Sequence, residues 1–255
     1  MFKVDADTYD RFIGRYAPAL AHVLVKAAGL SPGDRALDVG CGPGALTTEL
    51  VGLLGVDQVA AVDPSETFVE ACRARHPGVS VQLASAESLP FPDTTFDHAL
   101  AQLVVNFMTD PVAGVSEMRR VARPGGRVTA AVWDYGGEMT LLRTFWEAAA
   151  AVDPQGGTQD ERNARLSTPG ELRSLWTDVG LAGIEVVPAV VRAAYESFDG
   201  LWQPLEIGVG PAGAHVAALA PDVRRALRQE LRDRLGVSEG PFTLTARAWV
   251  VSGSV

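Results

Sequence analysis

The sequence has few of the residues that several common chemistries require. Of its 255 residues only two are lysine, Lys3 and Lys26, and only two are cysteine, Cys41 and Cys72. A phosphate-binding loop, a Schiff base and the tyrosine–lysine pair of short-chain dehydrogenases all need a lysine further along the chain, and none follows Lys26. The cysteines and the four scattered histidines offer neither a disulfide framework nor metal-ligand spacing, so we expect no bound metal.

Long apolar runs and an excess of positive charge are also absent. No run of about 18 apolar residues occurs, and Asp5 and Asp7 interrupt any signal-peptide pattern. These features predict a cytoplasmic protein that does not bind membranes. Aspartate and glutamate number 31 against 22 lysines and arginines, and the net charge of −9 disfavours nucleic acid as a partner.

The sequence does contain a regular alternation of apolar strands and amphipathic helices. The predicted strands span residues 35–39, 58–62, 79–83, a part of 96–105 and 127–133, and the predicted helices span 45–54, about 65–75 and the residues from Pro111 to the turn at 123–126. Asp110 is the expected N-cap of that last helix, because proline favours the first helical position. Apolar strands that alternate with helices indicate an α/β fold with a mostly parallel sheet covered on both faces.

The alternation ends after Trp133. Two later strands, at about 184–194 and 242–251, predict a Rossmann-like sheet of seven strands finished by an antiparallel hairpin. We expect a single domain over residues 1–255. Its predicted parts are a helical cap (1–30), a cofactor-binding core (31–135), a helical insertion or lid with one strand (136–240) and the final strand (241–255).

A glycine-rich loop follows the first predicted strand and is the most specific feature of the sequence. It reads Leu37-Asp38-Val39-Gly40-Cys41-Gly42-Pro43-Gly44, and Asp63 ends the next strand, where a carboxylate accepts hydrogen bonds from ribose hydroxyls. A dinucleotide and an adenosyl compound without phosphates are the two alternatives. The glycine spacing lacks the extra residue of a dinucleotide loop, and Asp38 would repel a pyrophosphate but attract a cationic amino group or sulfonium.

Further motifs make the sequence resemble a known family. They are Val62-Asp63-Pro64-Ser65, Ala86-Glu87-Ser88-Leu89-Pro90-Phe91-Pro92-Asp93 with Phe96-Asp97, and Arg123-Pro124-Gly125-Gly126. With the glycine loop, these motifs resemble class I S-adenosylmethionine-dependent methyltransferases of the ubiquinone/menaquinone-biosynthesis-like (type 11) group, over about residues 35–133. The resemblance implies S-adenosyl-L-methionine as the cofactor and methyl transfer as the activity.

The resemblance also implies roles for individual residues. Gly40 and Gly42 would pass under the methionine part of the cofactor, Asp63 would hold its ribose, Ala86 and Glu87 would lie at its adenine, and Gln102 at its methionine end. Pro64, next to Asp63, would also contact the cofactor. Many relatives have an acidic residue where this chain has Ser85. The segment Tyr9–Tyr16 resembles the cap helix of this group, and Arg15 would pair with the cofactor carboxylate.

The sequence offers no strong candidate for a catalytic base. Asp134 and Tyr135 follow the fifth strand at the edge where ligands bind, and His215 lies in the insertion. Methyl transfer from a sulfonium needs mainly positioning and exclusion of water, so a strong base is not required. The sequence lacks the Asn/Asp-Pro-Pro-aromatic string of nucleic-acid methyltransferases.

We therefore expect a small, apolar acceptor and a monomer or homodimer. Two alternatives remain: a relative that binds the cofactor without catalysis and acts as a regulator, and a nicotinamide-dependent oxidoreductase.

Overall fold

The computed structural model describes residues 12–154 and 160–255 of the chain. Seven strands form one sheet; they are β1 (Ala36–Val39), β2 (Val59–Asp63), β3 (Ser80–Leu83), β4 (Phe96–Gln102), β5 (Ala122–Trp133), β6 (Ala182–Tyr195) and β7 (Phe242–Ser254). The strand order is β3-β2-β1-β4-β5-β7-β6, in which β1 to β5 are parallel and β7 is antiparallel to β5. This confirms the predicted Rossmann-like, mostly parallel sheet.

The described residues contain nine α-helices. They are α1 (Ala17–Ala28), α2 (Ala45–Leu54), α3 (Glu66–Arg75), α4 (Pro111–Val121), α5 (Thr140–Val152), α6 (Pro169–Asp178), α7 (Phe198–Glu206), α8 (Gly210–Ala218) and α9 (Pro221–Leu235). Short 3₁₀ turns occur at Ile13–Tyr16, Val56–Gln58, Val105–Phe107 and Glu161–Asn163. None of the described helices is both long enough and apolar enough to cross a bilayer.

Two compact units make up the chain, and each is described by itself. The sheet unit comprises Ala17–Trp133, Arg165–Ala189 and Ala248–Val255, and the helical unit comprises the described residues of 12–16, 134–154, 160–164 and 190–247. In the sheet unit every residue of β1 and β2 is buried, as expected of central strands covered on both faces. The helical unit has Phe145, Trp146 and Trp202 in its core.

Most predicted element boundaries agree with the structure to within a few residues. The Asp110 carboxylate caps α4 by accepting a hydrogen bond from the Ala113 N–H, and Pro111 takes the first helical position, as predicted. Residues 123–126, predicted as a turn, instead belong to the start of β5, because Gly125 and Gly126 exchange backbone hydrogen bonds with Val255. The last two strands are neighbours in the sheet, but α7, α8 and α9 connect them, so they do not form a tight hairpin.

Candidate ligand-binding site

The glycine-rich loop between β1 and α2 is held against the end of β2. The N–H groups of Gly40 and Cys41 both donate to the Val62 carbonyl oxygen, at 2.8 and 2.9 Å. Gly40 has a φ of 72° and approaches the segment after β4 so closely that a Cβ there would lie 2.4 Å from a Val104 methyl carbon. Gly42, with a φ of 53°, has no neighbouring atom within 4 Å of a Cβ position, so the loop presents open space at Gly42.

The carboxylate of Asp63 lies at the carboxyl end of β2 and is bound to the same loop. Its Oδ2 accepts a hydrogen bond from the Gly42 N–H at 2.9 Å, and its Oδ1 accepts one from the Ser65 N–H at 2.8 Å, across the exposed Pro64. Burial raises the pKa of Asp63 even though both backbone N–H groups favour the charged form. Each oxygen retains a second lone pair, so the carboxylate can still accept hydrogen bonds from a ligand hydroxyl.

Asp38, at the carboxyl end of β1, is fully buried behind the loop. Its Oδ2 accepts a hydrogen bond from the Thr47 hydroxyl of α2 at 2.6 Å, whereas its Oδ1 has no hydrogen-bond donor among the described residues. Burial, opposed by the Thr47 hydroxyl and reinforced by the charge of Asp63, raises the pKa of Asp38 to about 7. Such a carboxyl group favours a nearby cation, because a cation restores the charged form.

Gln102 is the last residue of β4, the strand next to β1. Its Nε2 donates to the Ala17 carbonyl oxygen at 3.1 Å, and its buried Oε1 has no donor within the described ranges. Asp38 pairs with Leu100 in the sheet, so Gln102 lies two residues further toward the edge where parallel α/β sheets bind ligands.

These features fit the adenosyl compound expected from the sequence. Two buried oxygens, Asp38 Oδ1 and Gln102 Oε1, lack donors at the ends of adjacent strands, and an ammonium group supplies such donors. The open space at Gly42 permits close approach of a ligand to the backbone.

The segment after β3 is tied to the segment after β4 through Glu87. The Ser85 hydroxyl donates to one Glu87 oxygen, and the other oxygen accepts hydrogen bonds from the N–H groups of Thr109 (2.8 Å) and Asp110 (3.3 Å). Partial burial would raise the pKa of Glu87, but these hydrogen bonds outweigh it and lower that pKa. Ala86 is buried beside it. Ser85 therefore hydrogen-bonds within its own loop.

Arg15 belongs to the helical unit, and the residues before Phe12 in the predicted cap segment lie outside the described residues. The Arg15 guanidinium donates to the Ala194 carbonyl oxygen at 2.9 Å and lies 4.1 Å from the centroid of the Tyr195 ring. Its role at the cofactor carboxylate stays a prediction.

The weak catalytic candidates all lie in the helical unit. The Asp134 carboxylate accepts hydrogen bonds from the Arg247 guanidinium at 2.5 and 2.8 Å and from the Glu138 N–H at 2.9 Å, all within the helical unit. Tyr135 is buried. The His215 ring lies 5.3 Å from Trp146, and its buried Nε2 has no partner among the described residues.

The sequence reasoning missed two contributors to these sites. Thr47 holds Asp38, and the only signal for it was a hydroxyl residue in the first turn of the helix after the glycine loop. Glu161, in the helical unit, accepts a hydrogen bond from the Trp146 indole at 3.2 Å. Burial raises the pKa of Glu161 to about 7. No sequence pattern marked Glu161, because its surroundings come from distant segments.

Within residues 12–154 and 160–255, no three His, Cys, Asp or Glu side chains lie close enough together to hold a metal ion.

The chain is similar in sequence to known methyltransferases. Residues 37–130 match the model of a methyltransferase domain family. The chain is 33% identical over 170 residues to an uncharacterised 37.1 kDa protein of a Streptomyces fradiae transposon. The matched region covers 65% of this chain and 48% of that protein. The chain is also 37% identical over 126 residues to an uncharacterised methyltransferase of Mycobacterium tuberculosis, which covers 49% of each chain. The chain thus spans about half the length of these curated relatives.

A solved structure with the same fold is phosphoethanolamine N-methyltransferase 2 of Haemonchus contortus, in complex with phosphomonomethylethanolamine and S-adenosylhomocysteine. The TM-score is 0.57 at 19% sequence identity, and the match covers 92% of this chain and 52% of that chain. At this identity the similarity establishes the fold.

Proposed function

We propose that the chain is an S-adenosylmethionine-dependent methyltransferase with a small-molecule acceptor, because residues 37–130 match the model of a methyltransferase domain family. This match agrees with the resemblance found in the sequence. The observation that carries the proposal is the pair of donor-free buried oxygens, Asp38 Oδ1 and Gln102 Oε1, beside a glycine loop that is open at Gly42. A cationic ligand with an adenosyl group satisfies both features.

The residues have distinct roles in the proposed site. The Asp38 carboxylate and the Gln102 amide oxygen would accept hydrogen bonds from the cofactor ammonium group, and Asp63 would accept them from the ribose hydroxyls. Glu87, fixed by Ser85 and two backbone N–H groups, would hold the loop at the adenine end.

The bound cofactor would supply an activated methyl group on a positively charged sulfur with a neutral leaving group. The protein then has to orient the acceptor in line with the sulfur–carbon bond and exclude water. Fixed groups perform both tasks well, and the glycine loop is fixed by its two hydrogen bonds to Val62. The proton of the acceptor leaves to solvent or to a weak base, so the lack of a strong base in the site is compatible with transfer.

A small acceptor is favoured by charge and by the similarities. The net charge of −9 opposes nucleic acid and anionic membranes. The Haemonchus contortus structure contains a small phosphorylated amine, although nothing in this chain selects that compound. A monomer or homodimer in the cytoplasm remains our expectation.

Calorimetric titration tests the cofactor part of the proposal. We expect S-adenosylhomocysteine to bind and NAD to show no binding. Asp63→Ala should weaken S-adenosylhomocysteine binding by about 1–3 kcal/mol through lost charge-assisted hydrogen bonds. The exposed Asp57→Ala in the same unit is the matched control and should bind like the wild type.

Preference for NAD would contradict the proposal, and an unchanged affinity in Asp63→Ala would contradict the ribose assignment. Formation of S-adenosylhomocysteine from S-adenosylmethionine over a panel of metabolites distinguishes the enzyme from a regulator that binds without catalysis. A regulator would form none with any acceptor.

A further inference from the structure

The turn between β4 and α4 carries an exposed aromatic side chain. Phe107 is 49% exposed at the carboxyl side of the sheet, where α/β folds bind ligands. A single exposed apolar side chain is ordinary on a protein surface, so exposure alone assigns no role. The contacts that fix the backbone on both sides of Phe107 do indicate one.

One arginine holds both carbonyl groups that flank this ring. Arg165 donates from Nε to the Asn106 carbonyl oxygen at 3.2 Å and from Nη2 to the Met108 carbonyl oxygen. The planar guanidinium presents its N–H donors in a fixed fork that matches two acceptors, whereas the three donors of a lysine share one rotatable nitrogen. Within the turn itself, the Phe107 N–H donates to the Val104 carbonyl oxygen at 2.8 Å.

The segment that carries Arg165 is itself fixed. Leu166 has a φ of 56°, a left-handed conformation that is uncommon for residues other than glycine and persists only where surrounding contacts enforce it. Its N–H donates to the Glu171 carboxylate, which also takes part in the capping box with Thr168 at the start of α6. The start of α6 thus positions Arg165.

The turn lies directly beside the candidate cofactor site. Val104, before Phe107, contacts the glycine loop at Gly40, and Thr109, after it, donates to Glu87. Phe107 is therefore on a short, rigid stretch of chain that runs from the methionine end of the site to its adenine end. A rigid exposed ring at such a position offers a stacking surface at low entropic cost.

We propose that Phe107 contacts the methyl acceptor and selects acceptors with a planar, apolar ring system, and that Arg165 is the positioning residue that presents it. This inference rests on the proposed function, because it assigns the acceptor side of the same site. Stacking requires a flat partner, and a phenyl ring carries no hydrogen-bonding group, so the contact that Phe107 offers is apolar.

The probe for this inference is 2-naphthol, a planar hydroxyarene whose own fluorescence anisotropy reports binding. It is titrated with protein saturated with S-adenosylhomocysteine. We expect 2-naphthol to bind the wild type, and Phe107→Ala to weaken that binding at least fivefold while S-adenosylhomocysteine affinity stays within twofold. Val112→Ala, which changes another exposed apolar side chain of the sheet unit, is the matched control and should bind like the wild type.

Arg165 is tested in the same titration. Arg165→Met keeps much of the side-chain length without any donor and should weaken 2-naphthol binding as Phe107→Ala does. Arg165→Lys, whose three N–H donors share one nitrogen and lack the planar fork, should restore only part of the affinity. A purely structural role for Arg165 would lower thermal stability without this separation between probe and cofactor affinity.

Several results would overturn the inference. They are no binding of 2-naphthol to the loaded wild type, equal binding to wild type and Phe107→Ala, or an equal loss in Val112→Ala. Unchanged 2-naphthol affinity in Arg165→Met would show that Arg165 does not position Phe107. If S-adenosylhomocysteine itself fails to bind the wild type, the proposed function fails instead, so the two failures are distinguishable.

Discussion

Asp38 should couple cofactor binding to the release of a proton. Burial raises the pKa of this carboxyl group to about 7 from its usual 3.8. At pH 6 about nine molecules in ten then carry the protonated form, and at pH 8 about one in ten. A ligand ammonium group near Oδ1 favours the charged form, so binding lowers the Asp38 pKa and releases the proton where one was bound.

The magnitude follows from these fractions. Binding at pH 6 should release about 0.9 proton per ligand, and binding at pH 8 about 0.1. The affinity for S-adenosylhomocysteine should rise about tenfold from pH 6 to pH 8, because only the charged fraction of Asp38 binds the ammonium group well. Calorimetry in pairs of buffers with different ionisation enthalpies measures both the released protons and the affinity.

Two variants isolate Asp38 in this experiment. Asp38→Asn should release no proton and should lose the pH dependence. Thr47→Val removes a hydroxyl that favours the charged form, so the pH window should move upward. Equal wild-type affinities at pH 6 and pH 8 without proton release would refute the reasoning. If Asp38→Asn releases as many protons as the wild type, the released proton comes from another group, and Asp63 is the first candidate.

Three further predictions concern the loop and the helical unit. Gly40→Ala should lower the free energy of unfolding by about 2–5 kcal/mol, measured by urea denaturation, because its Cβ meets Val104 and its φ is left-handed. Gly42→Ala should lower the free energy of unfolding by only about 1–2 kcal/mol because its surroundings are open. Equal losses in the two variants would contradict the close approach of Gly40 to Val104. Glu161, with a pKa raised to about 7 from 4.5, should make wild-type stability fall by at most about 3 kcal/mol between pH 4.5 and 7, since the folded state binds more protons there. Glu161→Gln should remove this contribution in urea unfolding at pH 5 and pH 8, and an identical pH dependence would contradict it.

The sequence predicts the sheet well because its information is local. Each central strand is a short apolar run followed by a helix with one apolar face, and such periodicity needs no knowledge of distant contacts. The first helix after the glycine loop is predicted with the boundaries the structure gives it, Ala45–Leu54. The start of β5 is missed because Arg123-Pro124-Gly125-Gly126 has turn composition and becomes a strand only by pairing with the distant Val255.

The sequence predicts which residues lie near one another at the candidate site, but it does not predict their burial or their pKa shifts. The motif spacing brings Asp38, Gly42 and Asp63 to one edge of the sheet, and the structure shows Asp63 bonded to the Gly42 N–H. That Asp38 is fully buried with one oxygen lacking a donor depends on packing from α2 and β4, which no local pattern encodes. The cofactor roles of all the site residues stay predictions; these are Arg15, Asp38, Gly40, Gly42, Asp63, Pro64, Ala86, Glu87 and Gln102.

Burial of the Asp38 carboxylate lowers the stability of the folded protein but favours binding of a cationic ligand. These opposite effects distinguish a functional role of Asp38 from a structural one. At pH 8 the Asp38 carboxylate is charged and buried, and the folded state would be more stable with the neutral group. The raised pKa corresponds to a loss of up to about 4 kcal/mol in the free energy of unfolding. Asp38→Asn relieves the charge and keeps an acceptor for the Thr47 hydroxyl, so it should raise the unfolding free energy of the ligand-free protein at pH 8. The same change should weaken cofactor binding, because a neutral amide attracts an ammonium group less than a carboxylate does. If Asp38 had only a structural role, Asp38→Asn would lower the free energy of unfolding and leave cofactor binding unchanged. The signs of the two effects therefore decide between the roles.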